Sequence, residues 1–297
     1  LGDVYKRQPK NPTQHFGPEE LASALGKPFP PTAEQAAVID GPLGPKLVVA
    51  GAGAGKTETM ASRVVSLVAN GLVRPEQVLG LTFTRKAAQQ LEQRIRRQLL
   101  TLRSSGILAP GSPAAEAVEN IAPNVSTYDS YAGDLVREYG LLMPVEPNAR
   151  IITEAERYAI AHEVVSNYTG SLSTDNAVAT VTATLLKLAE TMDGELKDPH
   201  DLYEHEDIFR KTAEDLEKSK RTSGEYSQKL QGYLDTQRLR LEYLPLVEAL
   251  KKEQAERGVI TIGEQMSIAA TLAKNFPLLG EQQSARYRVI MLDEYQD

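Results

Sequence analysis

Three features are absent from this sequence, and each absence narrows its possible functions. The 297 residues contain no cysteine, which excludes disulfides, thiolate zinc sites and cysteine nucleophiles and is typical of a reducing compartment such as the cytoplasm. No apolar run approaches the roughly 18–20 residues that cross a bilayer, so no membrane partner is expected. There is no basic excess, because the net charge is −7. Any nucleic-acid surface must therefore be a local patch.

The composition is that of a folded protein, and only the two ends look unusual. Hydrophobic residues make up 41% and charged residues 25%, which favours one large domain or two smaller ones with a buried core. Residues 1–8 have the sequence LGDVYKRQ. The codons CTC GGA GAT GTG TAT AAG AGA CAG would encode it, and this DNA resembles the end of a transposon-based sequencing adapter. Our hypothesis is that these residues are a read-through scar of the adapter, so we exclude them from reasoning about the fold. We also expect truncation at Asp297, which closely follows an apolar run and an acidic pair.

Hydrophobic spacing predicts alternating strands and helices at both ends of the chain. Apolar runs predict strands at 46–50, 77–83, 125–127 and 287–292. Spacings of three and four predict helices at 18–25, 32–39, 56–70, 85–103 and 130–139. Residues 104–124, with Gly, Ser and Pro, predict a loop.

The stretch from about 144 to 288 has an almost wholly helical pattern. Its predicted helices are 151–168, 176–192, 212–220, 226–258 and 264–274. This predicts a separate helical part.

A glycine-rich loop stands between the strand predicted at 46–50 and the helix predicted at 56–70. It consists of Ala50, Gly51, Ala52, Gly53, Ala54, Gly55, Lys56 and Thr57. Small side chains let backbone N–H groups close around phosphate oxygens, and the following helix points its positive end at the same charge. Lys56 supplies a point charge for the outer phosphates, and Thr57 offers a hydroxyl to Mg²⁺. The loop predicts nucleoside triphosphate binding.

Two carboxylates follow the last predicted strand. In phosphate-loop ATPases such a strand lies beside the strand of the loop. We therefore assign Asp293 to Mg²⁺ and Glu294 to general-base activation of the attacking water.

The chain resembles the superfamily 1 DNA helicases of the UvrD/Rep/PcrA type. The similar segments are PTAEQ at 31–35, the loop at 50–57, LTFTRKAA at 81–88, VSTYDSY at 125–131 and DEYQD at 293–297. The amino-acid sequence of these segments is most similar to that of the actinobacterial AdnA/AdnB helicases, which couple this ATP-driven motor to a nuclease.

The resemblance implies an α/β, RecA-like phosphate-loop domain with a parallel sheet (domain 1A, residues 9–143 and 258–297) and an inserted all-helical subdomain (1B, residues 144–257). It implies an ATP-dependent DNA helicase or translocase, moving 3′ to 5′. ATP and Mg²⁺ are the implied cofactors. Single-stranded and duplex DNA are the implied partners, with a possible second helicase-nuclease subunit.

Gln35 has two competing interpretations. The resemblance makes it the adenine reader. Thr32 and Gln35 also form the S/T-x-x-E/Q pattern that caps a helix. A Gln35→Glu variant should keep a cap and lose nucleotide discrimination.

The resemblance also assigns Thr84, Arg85 and Lys86 to single-stranded DNA, although a solvated helix start explains them as well. Tyr128 and Tyr131 could stack on bases or belong to a core.

Two other charged stretches are interpreted without a specific function. The arginines at 94, 96, 97 and 103 are interpreted mainly as a solvated helix face. The stretch 200–207 is interpreted as an exposed loop or helix end rather than a metal site.

The chain departs from the family pattern at three positions. Asp129 stands where His is usual, Tyr295 where Phe is usual, and Glu58 where Arg is frequent near the base. The second motor domain with its arginine fingers is missing, and such a finger is worth about 10³–10⁵ in rate. We therefore expect these residues alone to bind ATP without turning it over. The alternatives are an ATP-binding non-motor subunit of a DNA-repair nuclease complex and a small-molecule kinase.

Overall fold

The chain divides into two compact units. The computed structural model describes residues 15–120, 123–215 and 226–296, with the side chains of residues 119 and 120 left out. The first unit ends at Tyr131 and resumes at Gly280, and the second unit is Ala132–Leu279. The predicted boundaries at 143 and 258 both fall inside the second unit, and the domain assignment stays a prediction. The octapeptide at 1–8 and Asp297 lie outside the described residues.

Helices dominate both units. The helices are α1 Pro18–Ala24, α2 Ala33–Ile39, α3 Lys56–Ala69, α4 Arg85–Ser104, α5 Pro113–Asn120, α6 Tyr128–Tyr139, α7 Glu154–Ser166, α8 Val178–Gly194, α9 Pro199–Glu214, α10 Gln228–Glu242, α11 Leu244–Glu256, α12 Ile262–Asn275 and α13 Pro277–Arg286. The strands are β1 Val78–Thr82, β2 Asn124–Thr127, β3 Arg150–Ile151, β4 Val259–Ile260 and β5 Val289–Leu292.

The first unit contains a three-stranded parallel sheet. Its order is β2-β1-β5, with β1 central and buried along its whole length. Thr82 of β1 pairs with Thr127 of β2, and Leu81 pairs with Leu292 of β5. The carboxyl ends of the three strands therefore meet at one edge, where ligands bind in open α/β sheets.

Two long helices supply most of the core of this unit. Helix α3 buries an apolar face that includes Ala61, Val64 and Val68. Helix α4 follows β1 and buries Leu91 and Ile95 at helical spacing. Because both helices pack in the same core, the loop that begins α3 and the segment that begins α4 are fixed to one scaffold.

The strand predicted at 46–50 is not present. This segment has no regular structure, and Leu47 and Val49 are 75% and 88% exposed. A strand needs a neighbour for its backbone hydrogen bonds. Among the described residues the sheet ends at β5, so the prediction that the phosphate loop follows a sheet strand is wrong for this structure.

Two other predictions also need correction. Helix α5 lies inside the predicted loop at 104–124. Of the two alternatives for 200–207, the structure shows the helix end, because this stretch is the N-terminal part of α9, which begins at Pro199 after the capping box of Asp198. The helix predicted at 226–258 is two helices, since Pro245 stands in the first turn of α11, where its missing N–H costs no hydrogen bond.

The second unit is built from helices around its own core. The largest fully buried side chains there are Leu185, Tyr243, Leu244, Leu246, Leu250 and Leu272. A two-residue parallel pair, β3 with β4, is also present. The predicted helical part is therefore mostly helical, but it is not all-helical, because it contains the short strand β3.

Candidate nucleotide-binding site

The phosphate loop has the backbone that an anion site requires. Gly53 and Gly55 have φ values of 77° and 82°, in the left-handed region that glycine enters without strain. Gly55 is the N-cap of α3, and no described side chain caps this helix. The first N–H groups of α3 are thus left to bind a ligand at the positive end of the helix.

Lys56 and Thr57 occupy the first turn of α3. The ammonium group of Lys56 donates to the Ala50 carbonyl across 3.3 Å, so the lysine closes the loop on itself. Thr57 is half-buried next to it. An ammonium and a hydroxyl adjacent to uncapped amides fit a triphosphate with its Mg²⁺.

Gln35 forms the helix cap that its sequence allowed, while its role as the adenine reader stays a prediction. Its backbone N–H and its side-chain oxygen complete a capping box with Thr32, which begins α2. Its side-chain nitrogen also donates to the carbonyl of Ala54 across 3.1 Å. The residue therefore connects the cap of α2 with the phosphate loop.

A cavity of about 180 Å³ lies beside Gln35. Its apolar walls include Phe29 and Pro31, and its polar walls include Lys27 and Glu58. A mixed lining of this kind suits a ring with hydrogen-bonding edges.

The acidic pair lies at the end of β5. Asp293 donates its N–H to the carbonyl of Leu81 across 2.8 Å, which extends the pairing with β1. Glu294 has a φ of 52°, which is uncommon for a residue with a side chain. Its carboxylate accepts from the amide of Gln296 across 2.6 Å.

The pKa of Asp293 reflects its burial and the charges around it. Burial raises the pKa of Asp293 above its ordinary value, and the charge of Glu294 raises it further. The N–H of Glu294 and the charge of Lys56 lower the pKa in part. That Lys56 and Asp293 act together in one site stays a prediction.

Glu58 is a connecting residue whose role the sequence did not reveal. Its carboxylate contacts Lys27 at 2.7 Å, Arg94 at 2.9 Å and Gln98 at 2.8 Å. Burial raises the pKa of Glu58, but these partners outweigh it and leave the pKa below its ordinary value. Because these partners are distant in sequence, no local pattern predicts their contacts with Glu58. The one sequence feature that pointed to an unusual role was a carboxylate at a position where the family frequently has Arg.

Arg63 is a second residue that sequence reasoning missed. Its guanidinium donates to the carbonyl of Ile39, at the end of α2, across 2.7 Å and to that of Pro42 across 3.1 Å. A cation at a helix C-terminus is favourable. Arg63 thus ties the far end of α2 to α3.

The segment predicted to contact DNA follows β1 directly. Thr84 caps α4 by accepting from the N–H of Ala87 across 3.1 Å, while Arg85 and Lys86 are exposed. Phe83, which sequence reasoning also missed, is 63% exposed. An exposed aromatic ring beside two cations is the combination that single-stranded nucleic acids bind.

Tyr128 and Tyr131 take part in packing within the first unit. Both rings contact the cluster of Leu79, Leu81 and Tyr287. The hydroxyl of Tyr128 donates to the carbonyl of Asp293 across 2.9 Å, and its pKa is raised by burial and by the charge of Asp293. The hydroxyl of Tyr131 donates to Gln283 across 3.0 Å. Base stacking by either residue stays a prediction.

Two kinds of feature are absent from the part of the chain that the structure describes. No group of three or more His, Asp or Glu side chains there is arranged to hold a metal ion. No helix in the same ranges is long and apolar enough to span a membrane.

Comparison with known proteins identifies the family. Residues 31–297 match the UvrD/REP helicase N-terminal domain. This chain belongs to that family. Its three-stranded parallel sheet and phosphate loop are accordingly those of a RecA-like α/β fold, as predicted.

Individual relatives of this UvrD-type domain match shorter stretches. One subunit of an ATP-dependent helicase/nuclease from Limosilactobacillus fermentum is 31% identical over 144 residues, which is 46% of this chain and 10% of the relative. The corresponding protein of Streptococcus sanguinis is 33% identical over 48% of the chain and 12% of the relative. An ATP-dependent DNA helicase UvrD2 from Mycobacterium bovis is 48% identical over 63 residues, which is 21% of the chain and 9% of the relative. The chain thus spans about a tenth of the length of these relatives. The likeness to AdnA/AdnB helicases stays a prediction.

Proposed function

We propose that this chain is the ATP-binding motor region of an ATP-dependent DNA helicase or translocase. One observation carries the proposal: the left-handed backbone at Gly53 and Gly55 leaves the first N–H groups of α3 uncapped beside Lys56, as a phosphate site requires. Asp293, at the end of β5, is the carboxylate that we propose holds the magnesium needed for ATP hydrolysis. The membership of the UvrD/REP family supports the same interpretation.

ATP is the proposed substrate, and each part of the site has a role in holding it. The uncapped N–H groups of α3 and the ammonium of Lys56 bind the phosphates. The hydroxyl of Thr57 and the carboxylate of Asp293 would hold Mg²⁺, which supplies positive charge to the phosphates when bound. Gln35 and the cavity beside it receive the adenine base.

Glu294 is the proposed general base. Its left-handed backbone turns the chain sharply after Asp293, and Gln296 holds its carboxylate. In this position Glu294 accepts a proton from the water that attacks the terminal phosphate.

DNA is the proposed polymer substrate, bound where β1 ends. The cations of Arg85 and Lys86 contact phosphates, and the exposed ring of Phe83 stacks on a base. Binding should therefore weaken as salt rises. A net charge of −7 restricts this contact to a local basic patch.

The whole protein from which this region derives is proposed to act in the cytoplasm, moving 3′ to 5′ on single-stranded DNA with a possible helicase-nuclease partner. The names of the relatives support the nuclease association. Because an arginine finger contributes so much to the rate of hydrolysis, we expect the 297 residues alone to bind ATP without hydrolysing it.

The test is a titration of the chain with a fluorescent ATP analogue and a fluorescent oligonucleotide. Lys56→Ala should abolish ATP binding and leave oligonucleotide binding intact, while Lys252→Ala, on the exposed face of α11, should change neither. In the longer protein, Lys56→Ala should abolish unwinding. Unwinding that persists would instead support the non-motor alternative, and a chain that ignores DNA would support the kinase.

A further inference from the structure

One peptide group at the end of β5 is held at both of its ends. The carbonyl of Asp293 accepts from the hydroxyl of Tyr128 across 2.9 Å. The N–H of the same peptide group, which belongs to Glu294, donates to the carboxylate of Asp293 across 3.2 Å. The orientation of this peptide group sets the directions in which the two carboxylates leave the backbone.

The backbone at this point needs such support. Glu294 has a φ of 52°, and a residue with a side chain stays in the left-handed region only where its surroundings hold it there. β5 is paired with β1, and the hydrogen bond from Asp293 to Leu81 is the last of that pairing. Beyond it, the hydroxyl of Tyr128, from α6, contacts the turn.

We propose that Tyr128 is a positioning residue for the acidic pair. Its ring packs against the cluster of Leu79, Leu81 and Tyr287, and its hydroxyl reaches the carbonyl of Asp293. The hydroxyl holds the peptide group whose N–H binds the carboxylate of Asp293, and so sets the direction of that carboxylate. The inference rests on the proposed function, because it concerns the magnesium-binding state of the same site.

Tyr131 offers a matched control. It lies one turn further along α6, packs in the same cluster and also donates one hydrogen bond from its hydroxyl. Its partner is Gln283 of α13, not the acidic pair. A tyrosine-to-phenylalanine change at either position therefore removes the same kind of hydrogen bond, but only the change at Tyr128 frees the turn.

The experiment measures the affinity of the chain for ATP with excess Mg²⁺ and again with EDTA. The gain in affinity on adding Mg²⁺ reports the geometry of Asp293, while the affinity in EDTA reports the phosphate loop. Tyr128→Phe should reduce the gain by about threefold to tenfold, as expected for one lost hydrogen bond, and leave the EDTA value unchanged. Tyr131→Phe should behave as the wild type in both buffers, and thermal unfolding of both variants checks that they fold.

The outcomes separate the possible explanations. A Tyr128→Phe variant with the wild-type gain overturns the inference, and this is also the result expected if Tyr128 acts only by stacking its ring on DNA. An equal loss in both variants overturns it too, because the cause would then be general packing. If the wild-type chain binds ATP in neither buffer, the proposed function fails and the inference falls with it.

Discussion

The side-chain nitrogen of Gln35 lies 3.1 Å from the carbonyl oxygen of Ala54 and donates a hydrogen bond to it. The oxygen of the same amide accepts from the N–H of Thr32 across 3.1 Å. One side chain thus begins helix α2 and holds the phosphate loop. A change that keeps the acceptor and removes the donor can separate these two contributions.

Gln35→Glu should preserve α2 and weaken ATP binding. The carboxylate can still accept from Thr32, but it repels the carbonyl of Ala54, so we expect ATP affinity to fall about tenfold, equivalent to about 1.4 kcal/mol. The measurement is a titration with ATP and with GTP, together with circular dichroism. Gln77→Glu is the control, because Gln77 makes a similar cap with Arg74. Wild-type ATP affinity in Gln35→Glu would contradict the assignment.

Glu58→Gln should destabilise the first unit in a way that depends on pH. The pKa of Glu58 is lowered by Lys27, Arg94 and Gln98, so its stabilising contribution is present above the ordinary value near 4.5 and is lost as pH falls through the lowered pKa. Since these side chains are partly exposed, the loss at pH 7 should be below about 1 kcal/mol.

Thermal unfolding from pH 7 to pH 3 tests this prediction. The difference between wild type and Glu58→Gln should shrink as the solution becomes more acidic. Glu116→Gln, on the exposed face of α5, should have no such effect. A difference that stays constant across this range would show that the network contributes through packing rather than charge.

Part of the local structure around the site could be predicted, because it depends on contiguous residues, while the roles of the site residues stay predictions. The turn at Gly53 and Gly55 follows from glycine itself, and the helix predicted from residue 85 begins there as α4. The long helix α4 and the buried strand β1 were likewise found from hydrophobic spacing, since periodicity is the strongest local signal.

Features that depend on distant partners could not be predicted in the same way. Glu58 of α3 contacts Lys27, which follows α1, and Arg94 and Gln98 of α4. Tyr128 reaches Asp293 across 165 positions. Nothing in the neighbouring residues encodes either contact. The strand prediction for residues 46–50 is wrong for the same reason, because an apolar run forms a strand only when a neighbouring strand is there to pair with it.

Replacing Val49 tests the corrected account of that segment. Val49 is 88% exposed and Val78, in β1, is 1% exposed. Val49→Ser should leave the unfolding temperature of this chain unchanged. Val78→Ser should destabilise it by about 2 kcal/mol or more, because it removes buried apolar contacts and buries a hydroxyl. Equal losses in the two variants would show that residues 46–50 form a buried strand after all.

The acidic pair is expected to reduce the stability of the fold in exchange for its function. Burial and the charge of Glu294 raise the pKa of Asp293 above its ordinary value of 3.8. A raised carboxyl pKa means that the folded state binds protons more tightly than the unfolded state. Stability therefore falls as pH rises from 3.8 through the raised pKa, and the full cost is present at pH 7.

Asp293→Asn should consequently raise the unfolding temperature at pH 7, by about 1–3 °C, and the gain should vanish below pH 3.8. The same variant should lose the Mg²⁺-dependent part of its ATP affinity. Asp201→Asn is the control of opposite sign, because backbone and lysine contacts lower the pKa of Asp201, so its removal should lower the unfolding temperature. A destabilised Asp293→Asn at neutral pH would mean that the charge of Lys56 outweighs burial, and that the carboxylate stabilises the fold as well as the site.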